Sequence, residues 1–161
     1  MTERDLTTQE EDELLRPALA GVEHELPVEG RRPWRLSSQL YVGFFGGAIA
    51  TTVIAWMNAT RLGLSQRDRL LIAGVGVVAL VAAAVAVFVL DPDGNRRIRL
   101  IVSFTGIATA AAQRLLQAKA DRRYGFRHGE GAYDSLWVPG LIAVLVLGTV
   151  EAVLLYLVIR A

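Results

Sequence analysis

"LWVPGLIAVLVLGTVEAVLLYLVI", residues 136–159, decides what kind of protein this is. A helix of that length rises about 36 Å, enough to cross the roughly 30 Å hydrocarbon core of a bilayer. Its only charged side chain is Glu151. A second run, "LLIAGVGVVALVAAAVAVFVL" at 70–90, is longer than a soluble helix needs and carries no charge. A third, "SQLYVGFFGGAIATTVIAWM" at 38–57, is uncharged but diluted by glycine and threonine, with Tyr41 and Trp56 near its ends as interface anchors.

Residues 98–118, "IRLIVSFTGIATAAAQRLLQA", are more ambiguous. The clean apolar stretch runs only from Leu100 to Ala112, and Gln113 and Arg114 then interrupt it. Such a helix either spans, with Arg114 snorkelling to the headgroups, or lies on the surface as an amphipathic helix. The uncharged centre, Ser103 to Ala112, favours spanning. Ser103, Gly106, Ala110, Gln113 and Gln117 recur at steps of three and four, which draws one small-and-polar stripe along it.

The expected fold is therefore all-α: a polytopic four-helix transmembrane bundle over residues 36–161, with spans at about 38–57, 70–90, 98–118 and 136–159. Residues 1–35 are expected to be a disordered acidic tail, since they hold few apolar residues. The tail starts acidic and polar, unlike a signal peptide. Residues 1–30 hold nine acids and two arginines, a balance of −7, against a chain total of +1. An acidic segment thus precedes a basic, apolar body, and it suits a basic partner. With four spans the positive-inside rule is undecided: seven basic residues flank the membrane on the tail side, and seven or eight on the other. With 98–118 on the surface, the count becomes twelve against three. Either way the tail, and with it both termini of a four-span chain, is expected in the cytoplasm of a bacterial cell whose plasma membrane the chain crosses several times.

Chemistry is sparse. The chain has no cysteine, which excludes disulfides, thiolate metal sites and cysteine nucleophiles. "DPDGN" at 91–95 lacks the later ligands of a calcium loop and reads as a turn. His128, Glu130 and Asp134 in "HGEGAYD" sit among glycines that predict an open loop rather than a metal site. "RRYGFRH" at 122–128 mixes arginine with aromatics, and beside a span it suits anionic headgroups better than nucleic acid. No catalytic constellation, cofactor motif or metal cluster emerges.

Two features remain. An acid in a spanning helix costs about 2.5–3.5 kcal/mol on insertion scales, so Glu151 should face protein and have a partner. Depth counting, with Glu151 about 13 Å from the Arg160 end, brings Gly46–Gly47, Val81–Ala83 and Thr105–Gly106 to the same level, and points to the hydroxyls of Thr105, Thr109, Ser103, Thr51 and Thr52, with Arg99 as a longer reach. The expected state is a neutral acid bonded to a hydroxyl at a helix contact; the alternative is a protonatable site in a transport path. Gly43 and Gly47 form a G-x-x-x-G pair, the spacing that lets two helices approach closely, within the chain or in a homo-oligomer.

The series formed by Phe45-Gly46-Gly47, Asn58, Arg61-Leu62-Gly63, Gln113 or Gln117, and Ser135 with Trp137 resembles that in a group of uncharacterised bacterial integral membrane proteins, over residues 39–148. The resemblance implies four membrane helices and no assigned activity. The function expected is that of a small, non-catalytic structural or accessory membrane subunit, packed through glycine faces against itself or other membrane subunits. A transporter or channel component using Glu151 is the alternative.

Overall fold

The computed structural model describes residues 31–90 and 98–160. The readings of residues 1–30 and of "DPDGN" fall outside them. The described chain is helical: α1 (Gln39–Arg61), α2 (Gln66–Leu90), α3 (Ile98–His128) and α4 (Trp137–Arg160), with 3-10 turns at Leu36–Ser38 and Glu130–Ala132. Three segments are long and apolar enough to cross a membrane: Leu36–Arg61, Gln66–Val89 and Trp137–Val158. α3 is not among these.

Local signals fix the ends. α1 stops at Gly63, whose φ of +71° is a glycine conformation. There Leu64 N donates to Ala59 O at 2.9 Å and Gly63 N to Thr60 O at 3.2 Å, the paired bonds of a Schellman end. Ser65 caps α2: its hydroxyl accepts from Asp68 N at 3.2 Å and donates to the Asp68 carboxylate at 2.8 Å. Pro139 sits in the first turn of α4, where its missing N–H forfeits no helical bond.

α1 is not a continuous helix. Gly47 has φ 74° and ψ −162°, far from helical values, and it divides α1 into half-helices at 39–46 and 48–61. The two halves fold back on each other. Trp34 N donates to Asn58 Oδ1 at 2.7 Å, and the Arg61 guanidinium lies 3.7 Å from the Trp34 ring centroid. A straight helix would hold residues 39 and 58 about 28 Å apart, too far for the five residues from Trp34 to bridge. α1 is a helical hairpin with its tip at Gly47. Trp34, Val42, Ala50 and Ile54 close its interior together with Leu136 and Ala143 of the α4 end. Trp34, two residues before Leu36, is part of this core at 2% exposed.

The other helices are rods that run alongside. Ala55 and Ala59 of α1 meet Ile72 of α2. Ala83 and Val87 of α2 pack on Leu155 of α4, with Ile98, Ile101 and Val102 of α3 against them. Gly46 meets Val144 and Gly148 of α4, while Tyr41 donates to Leu136 O at 2.6 Å. These pairs place residues 31–35, the 62–65 turn, the last part of α3 and the 129–136 connection at one end of the bundle. The 90 and 98 ends of α2 and α3, and the end of α4, lie at the other. α1 is the inner element: half of its most apolar window is buried, against 22% and 17% in α2 and α4. α3 turns its stripe inward, burying Gly106, Thr109, Ala110, Gln113 and Gln117. Thr109, Gln113 and Gln117 thus face protein, while the charged Arg99, Arg114, Lys119, Arg122 and Arg127 of the same helix are exposed.

The hairpin tip and its carboxylate

A half-helix beginning at Ala48 has backbone N–H groups with no acceptor inside the helix. Glu151 supplies two. Ala48 N donates to its Oε1 at 3.1 Å, and Ile49 N donates to its Oε2 at 2.6 Å. The side chain is fully buried. Both oxygens act as acceptors, and the start of a helix carries the positive end of its dipole. Glu151 is the N-cap of the returning half-helix, delivered from another helix.

Gly47 makes this geometry available. Its backbone angles lie in a region that only glycine occupies readily. A Cβ there would sit 2.5 Å from Glu151 Oε1 and 2.7 Å from Oε2. Beside it, Thr51 donates to Gly47 O at 2.6 Å and Thr52 to Ala48 O at 2.7 Å, which settles carbonyls near the break.

The partners expected from depth counting are engaged elsewhere. Thr105 donates to Ile101 O and Thr109 to Thr105 O, each at 2.7 Å, along their own helix. Ser103 is half-buried and Arg99 is exposed. Counting residues from the membrane edge finds side chains at a given level; it cannot find backbone donors that exist only because a helix is broken there. The G-x-x-x-G reading divides. Gly43 is a close-approach residue: a Cβ there would lie 2.5 Å from the Gly106 carbonyl oxygen and 3.1 Å from Ala110 Cβ. Gly47 is the hinge of the hairpin. The residue missed is Gly106, whose Cβ would strike the Gly43 carbonyl and come within 2.9 Å of Gly47 Cα. Its place in the α3 stripe was the available signal.

A polar layer lies nearer the open end of the hairpin. Asn58 Nδ2 donates to Gln117 Oε1 at 3.1 Å, and Gln113 Nε2 donates to Thr52 Oγ1 at 2.9 Å and to Ile72 O at 3.0 Å. Gln39 is buried in the same helix pair, with neither amide atom bonded to protein. This amide layer ties α1, α2 and α3 together.

Outside, Tyr133 donates to Asp121 O at 3.1 Å. Burial, and after it the Asp121 carboxylate, push the Tyr133 phenol up to about 12. His128 stacks on Tyr124, with ring centroids 4.5 Å apart. Among the described residues no three metal-ligating side chains gather. No protein family matches the sequence, and no curated protein or solved structure is found to be similar to it.

Proposed function

We propose that the chain is a multi-pass membrane protein with a non-catalytic, structural or accessory role. Its α2, α3 and α4 cross the bilayer, while the α1 hairpin enters from one side and returns. The observation that carries this is the Glu151 cap on the broken helix. Non-helical backbone at membrane depth is tolerated where it is buried in protein, and here each exposed donor of the tip that Glu151 reaches is satisfied from within the chain. The half-helix 48–61 rises about 21 Å, short of a roughly 30 Å core. Val77, Val78, Val81, Val85 and Phe88 of α2 are more than half exposed, which suits lipid contact.

An uneven distribution of basic residues supports an orientation for this layout. Arg31, Arg32, Arg35, Arg61, Arg67, Arg69, Arg114, Lys119, Arg122, Arg123 and Arg127 fall on the hairpin's side; Arg99 and Arg160, with Arg96 and Arg97 counted by their sequence position just before Ile98, make four for the other. Eleven against four favours a cytoplasmic side for the hairpin's open end by the positive-inside rule. The chain then ends on the far side, because α1 does not count as a crossing.

The glycine contacts serve the fold of one copy. Gly43→Leu is therefore expected to lower the unfolding midpoint of the protein in detergent without changing its oligomeric state, because the residue it collides with is Gly106 of the same chain. A shift to a smaller species with unchanged stability would contradict this. The second reading, transport through a protonatable Glu151, is favoured by one observation: a carboxylate meets a half-helix start inside the apolar zone, an arrangement on which transporter ion sites are built. The Glu151 variants discussed below separate the two.

A further inference from the structure

We propose that residues 1–30 dock on the basic end of their own bundle, chiefly on the last turns of α3. The hairpin makes this geometrically available. Because α1 folds back, the acidic segment joins the bundle at the end where α3 terminates. Asp134 N donates to Pro33 O at 2.9 Å and Arg61 donates to Arg32 O at 2.9 Å, which anchors the junction there. A straight α1 would have put the segment at the opposite end.

The charges match. The hairpin's end holds eleven basic residues and four acids (Asp68, Asp121, Glu130 and Asp134), a balance of +7. Residues 1–30 carry −7. α3 continues for eleven residues past the buried Gln117, and Lys119, Arg122 and Arg127 on that extension are exposed. Phe126, among them, is 95% exposed, and Leu115 is 78% exposed. This surface is basic with apolar points, and "EEDELL" at 10–15 is acidic with two leucines. The length suffices: about 20 residues can extend to roughly 66–72 Å, and linkage within one chain raises the local concentration of the two groups. The competing occupant is the anionic headgroup, which the same cations attract. The docked segment would screen them from it.

Lys119 is the only lysine in the chain, which makes the test direct. The full-length protein is placed in phosphatidylcholine nanodiscs and treated with a carbodiimide, which joins a carboxyl to an amine without a spacer. Mass spectrometry is expected to find Lys119 linked to Glu10, Glu11, Asp12 or Glu13. A mixture of isotope-labelled and unlabelled protein should show the link within one copy. The yield should fall about fivefold or more in 1 M salt, where the screening length is near 3 Å. It should fall likewise in the E10Q/E11Q/D12N/E13Q variant, which leaves the bundle untouched. Lys119 linked only to acids within 98–160, links between copies, or a yield indifferent to salt would each overturn the proposal. The result does not depend on the role of Glu151.

Discussion

Replacing Glu151 with leucine is expected to destabilise the protein by about 2–6 kcal/mol, because Ala48 N–H and Ile49 N–H would be left buried without acceptors at about 1–3 kcal/mol each. Glutamine should fall between. Its amide oxygen can accept from one of the two N–H groups, but its NH2 turns a donor toward the other. The expected order of unfolding midpoints in micelles is wild type, then Glu151→Gln, then Glu151→Leu. If a neutral acid bonded to a hydroxyl were the right description, glutamine would be nearly silent, so the position of that variant distinguishes the two. The pair also tests transport: a Gln variant as stable as the wild type, yet unable to carry a pH-driven flux in vesicles, would overturn the structural reading.

Gly47→Ala should be nearly as damaging. The strained backbone alone costs on the order of 1–3 kcal/mol for a residue with a Cβ, and the added methyl would sit 2.5 Å from the carboxylate that caps the returning helix. Gly74→Ala supplies the control. A Cβ at Gly74 meets nothing within 4 Å, so that change should be neutral or stabilising by up to about 1 kcal/mol. Equal midpoints for the two alanine variants would show that Gly47 is not the hinge.

Most of the helical content could be read from the sequence, because runs such as 70–90 and 136–159 are long, apolar and free of charge apart from Glu151. The α3 stripe was legible too: four of its five residues are buried, since spacing at three and four residues marks a helix face whatever the face packs on. The hairpin was not legible as such. "FFGGA" satisfies the rule for a close-packing helix face as well as it satisfies the demand for a positive-φ hinge, and hydropathy does not register a reversal of direction. Glu151 stood out from its surroundings, but its partners could be identified only once the break in α1 was known, because they are main-chain atoms.

The central claim is that α1 turns back at Gly47, and side-specific labelling of single cysteines tests it most directly. The natural chain has no cysteine to interfere. Cysteines introduced one at a time at Thr2, Ser65, Gly94 and Gly129 would be exposed to a membrane-impermeant thiol reagent on intact cells and again after lysis. The hairpin predicts that positions 2, 65 and 129 behave alike, protected until lysis, while position 94 reacts on intact cells. Four straight crossings would give positions 2 and 94 on one side and positions 65 and 129 on the other, and that pattern would contradict the hairpin.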